Sequence, residues 1–167
     1  MKVKIYIRKG SKNKKFVKIA EQVSNALKSM SADGRIKERL LEVLRKDKSN
    51  LGAAWQDGDE LLNILGKNSG HRFDIYNWDT KTAIEIEESE VKYIWKDFVK
   101  LVIGKRRKRL ENAILICPLY YKGKSMKTPV PFFSTAINTS KFMSDLLWME
   151  NLAIIGYDKY NTEEQVI

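Results

Sequence analysis

The sequence predicts an α/β fold, a mixed β-sheet flanked by helices. Two apolar runs, Ala113–Cys117 and Leu152–Ile155, are typical of buried strands, and a helical segment separates them. Two further candidate strands, Arg72–Tyr76 and Thr82–Glu87, are separated only by Asn77–Lys81, which predicts an antiparallel hairpin. We therefore expect a sheet that is antiparallel at the hairpin and parallel beyond it.

The elements follow from periodicity along the chain. Residues 2–8 alternate between apolar and polar side chains, which predicts a strand with one solvent-facing side. Apolar residues recur at helical spacing over residues 15–30 and again over 35–48. A shorter helix is predicted at 59–65, where acidic residues occupy the first turn. A final helix is predicted at 140–150.

An amphipathic helix is predicted over residues 90–103, directly after the hairpin. Its apolar stripe includes Trp95, which we expect to lie in the core. Lys92, Lys96 and Lys100 follow one another at intervals of four and predict a basic ridge on the solvent side.

Length and charge limit the possible functions. The chain has 167 residues and no visible linker, so we expect a single domain over 1–167. A net charge of +10 favours a polyanionic partner such as nucleic acid, with an anionic membrane surface as the alternative. No apolar run approaches the ~20 residues needed to span a bilayer, and no signal-peptide core follows the first residues. We expect a cytoplasmic protein without a membrane partner.

The residue composition argues against several types of active site. Cys117 is the one cysteine, which excludes an internal disulfide and a multi-cysteine zinc site, and its apolar surroundings predict a buried thiol. His71 is the one histidine, so a Ser-His-Asp triad or a histidine metal cluster is not favoured. A glycine-rich phosphate loop of the Walker type is absent from the sequence. Catalysis would therefore depend on carboxylates and lysines.

The hairpin brings carboxylates together. Strand alternation places Glu85 and Glu87 on one face and Ile84 on the other, while antiparallel pairing would bring Asp74 near Glu85 or Glu87. Carboxylates so close repel one another unless a cation lies between them, and oxygen ligands of this kind suit Mg²⁺. The pattern predicts a metal site for phosphodiester chemistry. The alternative is that Glu-x-Glu is simply the solvated face of a strand.

An acidic residue on one strand, Glu-x-Glu on the next, then a helix and a buried strand resemble the PD-(D/E)XK nuclease superfamily. In particular, the pattern is similar to type II restriction endonucleases of the BamHI and BglII type, and it covers residues 59–157, the expected catalytic core. The resemblance implies a restriction-endonuclease-like fold in which Asp74 and Glu85 are the motif's acidic residues. Glu87 holds the position usually taken by lysine, and Glu60 is the candidate for a further acidic residue. The sequence departs from the motif because no proline precedes Asp74 and the lysine is missing.

The resemblance implies that Asp74, Glu85 and the carbonyl of Ile86 hold Mg²⁺ against a scissile phosphate. The metal would stabilise charge on the phosphoryl oxygens and lower the pKa of the attacking water. Glu87 would orient that water, act as general base or bind a second ion. Lys92 is the candidate for the missing cation, with a solvated or phosphate-contacting lysine as the alternative.

Two basic segments are candidates for DNA contacts. The run 105–109 ends the predicted helix and would track phosphates, although basic residues also favour helix ends for electrostatic reasons. The loop that begins with Tyr120 and Tyr121 combines aromatic rings with lysines, although local packing of the tyrosines is the alternative. The expected nucleic-acid-binding residues are Lys92, Lys96, Arg106, Arg107, Lys122 and Lys124.

Three functions are consistent with these patterns. The first is a Mg²⁺-dependent type II restriction endonuclease that cuts double-stranded DNA at a specific site, with a homodimer supplying two active sites. The second is a non-catalytic nucleic-acid-binding protein whose acidic hairpin is ordinary surface. The third is a repair, Holliday-junction or mobile-element nuclease of the same fold, because fold alone does not fix the substrate.

Overall fold

The computed structural model describes residues 1–8, 13–31, 35–47, 54–58, 72–122, 128–143 and 150–159. The strands are β1 (Val3–Ile7), β2 (Trp55–Asp57), β3 (Ile75–Asn77), β4 (Thr82–Ile86), β5 (Asn112–Pro118), β6 (Tyr120–Tyr121), β7 (Val130–Pro131) and β8 (Asn151–Tyr157). The helices are α1 (Lys14–Lys28), α2 (Ile36–Lys46), α3 (Ile94–Arg106) and α4 (Phe132–Phe142). A 3-10 turn, Val91–Tyr93, leads into α3.

Six strands form one mixed sheet in the order β1-β8-β5-β4-β3-β2. The β3–β4 hairpin is antiparallel, whereas β4, β5 and β8 run parallel to one another, as the sequence predicts. β1 and β2 add antiparallel edge strands. With the described helices flanking the sheet, the α/β restriction-endonuclease-like fold is confirmed. Strands β2, β6 and β7 were not predicted, because two or three residues show no alternation.

Two hydrophobic clusters lie on opposite faces of the sheet. Ile84 and Ile114 face helices α1 and α2, while Ala83 and Leu115 face helices α3 and α4. Alternate strand residues therefore supply the two cores, and β5 is buried along its whole length because both of its faces are covered. Cys117 is a buried free thiol, as predicted.

Helix α4 is not among the predicted elements, and most of the predicted 140–150 helix lies outside the described residues. α4 occupies Phe132–Phe142, most of which precedes the predicted 140–150 helix, and residues 144–149 lie outside the described part. α4 is rich in Ser, Thr, Asn and Phe, which are weak helix formers, so its sequence gives little signal. Burial of Phe132, Ala136 and Ser140, each four residues after the last, gives the helix its packed face. The predicted 59–65 helix also falls outside the described residues.

Helix α3 is amphipathic in a different way from the prediction. Trp95 was expected in the core, but its side chain is 45% exposed, so that prediction is wrong. Lys100 was expected on a solvent-facing basic ridge, but it is buried. Two steps of four residues place Lys100 about 80° around an ideal helix from Lys92, which carries it to the buried side.

One edge of the sheet is formed by the ends of the parallel strands. β4, β5 and β8 all end on the same side, and we call this side, where Ile86, Pro118 and Tyr157 lie, the carboxyl edge. Because β4 and β5 are parallel, α3 must run from the carboxyl edge back to the opposite edge. Ligands of open α/β sheets commonly bind beside the carboxyl ends of strands. No helix among the described segments is long and apolar enough to cross a membrane.

Candidate active site

Asp74 and Glu85 meet at the start of β3 and the end of β4. Ile75 pairs with Ile84 in the antiparallel ladder, so the residues just outside that pair, Asp74 and Glu85, become neighbours. The Oδ2 atom of Asp74 accepts a hydrogen bond of 2.7 Å from the backbone N–H of Ile86, which fixes its carboxylate beside β4. The sequence prediction that the hairpin joins these two acids is confirmed by this register.

Glu85 is fully buried on the face of the sheet covered by α3. Its Oε2 atom forms an ion pair with the Lys100 ammonium. Its Oε1 atom is also buried and has no hydrogen-bond partner in the described part of the chain. Buried polar atoms are usually hydrogen-bonded, so this oxygen is available to a ligand.

Lys100, which the sequence interpretation did not assign to the candidate site, contacts its buried carboxylates. It projects from the inner side of α3, and its ammonium lies 3.2 Å from Oδ1 of Asp97 as well as against Glu85. It also donates a 3.3 Å hydrogen bond to the backbone carbonyl of Arg72, just before Asp74 in the chain. The ammonium therefore touches the helix, β4 and the segment leading into β3.

Lys92, the predicted source of the cation, lies elsewhere. Its side chain is exposed, forms an ion pair of 2.6 Å with Glu90 and lies 5.0 Å from the centroid of the Tyr93 ring. The Lys92 side chain lies on the surface, whereas the Lys100 ammonium contacts the buried carboxylates of Glu85 and Asp97. The structure thus places a different lysine of the same helix beside Glu85.

Burial raises the pKa of the acidic groups at this site. It raises the pKa of Glu85 well above its ordinary value, against the opposing effect of Lys100, and it also raises the pKa of Asp74. For Asp97, burial outweighs the attraction of Lys100 and raises the pKa to about 6. Burial alone would lower the pKa of Lys100, but Glu85, Asp97 and Asp74 together outweigh that effect and raise it. The ammonium is therefore charged, and a second cation would favour ionisation of the carboxylates.

The predicted roles of Glu87 and Glu60 are not tested by the structure. Glu87 lies just beyond β4 at the carboxyl edge, is half-buried and accepts a 2.8 Å hydrogen bond from the backbone N–H of Ser89. Across the ranges that the structure describes, no three His, Cys, Asp or Glu side chains are gathered closely enough to hold a metal ion. Glu60 lies outside the described residues. The roles assigned to both glutamates stay predictions.

The donor set nevertheless fits Mg²⁺. This ion usually takes only one or two protein carboxylates and completes its shell with water and phosphate oxygens. Asp74 and Glu85 provide two adjacent carboxylates, and the buried Oε1 atom of Glu85 lacks a partner. The carbonyl of Ile86 follows Glu85 directly in β4 and is the third oxygen predicted from the sequence.

The predicted DNA-binding residues divide between the two edges of the sheet. Lys92 and Lys96 are exposed in the 3-10 turn and the first turn of α3, near the carboxyl edge, and the exposed Lys122 directly follows β6 beyond Pro118. Arg106 and Arg107 are exposed at the far end of α3, about 10 Å further along the helix than Lys100. Lys124 lies outside the described residues.

The Asp97 environment predicts a dependence of stability on pH. Because the pKa of Asp97 is raised to about 6, the folded state binds its proton more tightly than the unfolded state. The stabilisation from this proton is present at low pH and is lost as pH rises from about 4 to about 6, by up to about 3 kcal/mol. In chelator-treated samples, wild type should therefore lose stability relative to Asp97→Asn over this interval. Urea unfolding of both proteins at pH 4, 5, 6 and 7 measures the difference, and a constant difference would contradict the assignment.

Comparison with known proteins shows the family to which the chain belongs. Residues 10–157 match the protein family described as "Putative halobacteria restriction endonuclease". No curated protein matches the chain significantly. The match covers 148 of the 167 residues and includes every described element from α1 to β8, together with Asp74, Glu85 and Lys100. The chain therefore belongs to this restriction endonuclease family.

Proposed function

We propose that the protein is a Mg²⁺-dependent DNA endonuclease of the type II restriction kind, which cuts double-stranded DNA at a specific site. The observation that carries this proposal is the arrangement of Asp74, Glu85 and Lys100, two carboxylates and an ammonium at the carboxyl edge. Membership of a restriction endonuclease family supports the same reaction class. The resemblance to the PD-(D/E)XK superfamily, and to its BamHI and BglII type, is part of the proposal.

Each residue of the site has a role in this proposal. Asp74 and Glu85, with the Ile86 carbonyl, hold Mg²⁺, which when bound stabilises charge on the scissile phosphate and lowers the pKa of a bound water. Glu87 lies at the open edge of the same site and orients the attacking water. The Asp74 carboxylate is already aimed by its hydrogen bond to the Ile86 N–H, so little reorganisation is needed on metal binding.

Lys100 supplies the cation that the Glu-x-Glu motif lacks. The motif's lysine position holds Glu87 here, but the Lys100 ammonium reaches the Glu85 carboxylate from the neighbouring helix. There it stabilises negative charge on the phosphate as the phosphodiester bond breaks. Asp97 contacts the same ammonium and holds it in place.

The proposed substrate and assembly follow from the charge and the reaction. A net charge of +10 favours binding to the DNA backbone, and Lys122 stands beside the carboxyl edge where the scissile phosphate would lie. Cutting both strands at one site needs two active centres, so we propose a homodimer. We also propose that the protein acts in the cytoplasm.

The first test is cleavage of a mixed-sequence plasmid with Mg²⁺ and with chelator. We expect discrete fragments from wild type with Mg²⁺, and at least ~100-fold less cleavage from Asp74→Asn and Glu85→Gln, because each change removes a metal-binding carboxylate. The matched control is Glu111→Gln, which removes an exposed acid paired with Lys81 at the opposite edge. Circular dichroism checks that all variants are folded.

Other outcomes of the plasmid assay point elsewhere. A smear, or nicking without double-strand cuts, would favour a repair or structure-directed nuclease. DNA retention without cleavage by any folded protein would favour a non-catalytic nucleic-acid-binding protein. Full Mg²⁺-dependent cleavage by both acid variants would remove Asp74 and Glu85 from the active site.

A second prediction distinguishes the catalytic contribution of Lys100, within α3, from that of Lys92, which precedes the helix. Lys100→Met should reduce kcat by about 100-fold or more, since the neutral side chain cannot stabilise the phosphate. Lys92→Met should leave kcat within a few-fold, because its ammonium pairs with Glu90 on the surface. Single-turnover cleavage at saturating protein measures both. Equal losses in the two variants would argue against Lys100 as the catalytic cation.

A third prediction concerns the DNA contacts. Lys122→Glu should weaken duplex binding and make its dependence on salt shallower, because it removes a phosphate contact near the site. The double variant Arg106→Glu, Arg107→Glu should weaken binding less per charge, because both residues lie at the opposite edge of the sheet. Fluorescence anisotropy at several salt concentrations, with Ca²⁺ replacing Mg²⁺, gives both slopes. A larger effect at the arginines would place the DNA on the other edge.

A further inference from the structure

The segment that leads into Asp74 is held by helix α3 at two successive turns. Lys100 donates a 3.3 Å hydrogen bond to the backbone carbonyl of Arg72. Four residues further along the same side of α3, Gly104 faces the buried ring of Phe73, because a Cβ atom on Gly104 would lie only 2.7 Å from Cζ of that ring. Helix α3 therefore contacts both of the residues that precede Asp74.

Gly58 directly follows β2 and holds the same segment from the neighbouring strand. Its backbone N–H donates a 2.9 Å hydrogen bond to the backbone carbonyl of Asp74. Gly58 is packed so closely that a Cβ atom there would overlap the backbone carbonyl of Phe73. Glycine permits this approach of two backbones because it has no Cβ atom. The backbone of Phe73 and Asp74 is thus fixed from β2 as well as from α3.

The ring of Phe73 has little room to move. Its side chain is buried, and its ring stacks on that of Tyr76 with the centroids 6.1 Å apart and the planes 11° apart. Tyr76 is itself anchored, because its hydroxyl donates a hydrogen bond to the backbone carbonyl of Arg109. Protein interiors are packed as densely as organic crystals, so a displaced ring displaces the backbone that carries it.

We propose that Phe73 is a positioning residue that sets where the Asp74 carboxylate points. Because the two residues are adjacent in the chain, a shift of Phe73 moves Asp74 directly. The position of the carboxylate is reported by the 2.7 Å hydrogen bond that its Oδ2 atom accepts from the N–H of Ile86. Groups of an active site must be held within about 0.5 Å of their working geometry, so a small shift is enough to impair metal binding. The effect on metal binding rests on the proposed function, whereas the contact with Ile86 does not.

The test compares the hydrogen exchange of two adjacent amides, measured by NMR without metal or DNA. The N–H of Ile86 donates to the side chain of Asp74, whereas the N–H of Glu87 donates to the backbone carbonyl of Ile116. A general loss of stability raises both exchange rates together, whereas a displaced Asp74 carboxylate raises the rate of Ile86 alone. The ratio of the Ile86 rate to the Glu87 rate therefore separates positioning from an ordinary structural role.

Four variants test the packing of the Phe73 ring. Gly104→Ala should push the ring and raise the exchange ratio by about 10-fold or more. Phe73→Leu should loosen the same packing and raise the ratio too, so it serves even if Gly104→Ala does not fold. In the double variant the shorter side chain leaves room for the added methyl group, and the ratio should return to within about 3-fold of wild type. The matched control is Gly156→Ala on β8, where the added methyl group would lie 2.6 Å from the Phe133 ring, and the ratio should not change.

The outcomes separate this inference from the proposed function. An exchange ratio that stays unchanged in both single variants, or that rises as much in the control, would overturn the positioning role whatever the protein cleaves. A rise in both single variants with recovery in the double variant supports it even if wild type cleaves no DNA. If wild type does cleave DNA, the single-turnover rate of Gly104→Ala should fall about 10-fold with DNA affinity unchanged, and the double variant should recover. An unchanged cleavage rate beside a raised exchange ratio would show that Phe73 does not position Asp74 for catalysis.

Discussion

The ion pair between Glu85 and Lys100 is the interaction on which the rest of the site depends. An ionised carboxylate buried in the middle of a sheet costs several kcal/mol unless a counter-charge lies beside it. Lys100 provides that charge and is itself held by Asp97, so helix α3 is tied to strand β4 at one position. The same contact raises the pKa of Lys100 and keeps its ammonium charged.

The sequence predicted the sheet and the pair of acids because both follow from short-range rules. Alternation along β4 predicts which side chains share a face, and the short connection to β3 predicts antiparallel pairing. Asp74 was therefore expected near Glu85 or Glu87, and the observed register makes Glu85 its neighbour. The apolar runs Ala113–Cys117 and Leu152–Ile155 likewise predicted the parallel strands β5 and β8. The family match shows that the chain belongs to a restriction endonuclease family.

The residues that were misplaced lie on helices with ambiguous faces. Steps of four residues rotate by about 40° around a helix, so Lys100 lies about 80° from Lys92 and enters the buried side. Trp95 lies four residues after Val91 and three before Phe98, a spacing that predicts a core position, but its side chain is exposed. The signal for Lys100 was present in its spacing of three from Asp97, since two opposite charges on one buried side of a helix indicate a paired site. Helix α4 gave little local signal and depends on packing.

The most direct test of the proposed active site is a crystal structure with Mn²⁺ in place of Mg²⁺, read from its anomalous difference map. We expect a peak about 2 Å from carboxylate oxygens of both Asp74 and Glu85, with the Lys100 ammonium still beside Glu85. Glu87 should lie next to that peak or contact it through water. A map without a peak at these two carboxylates, or with Mn²⁺ bound only at other acidic groups, would contradict the proposed active site.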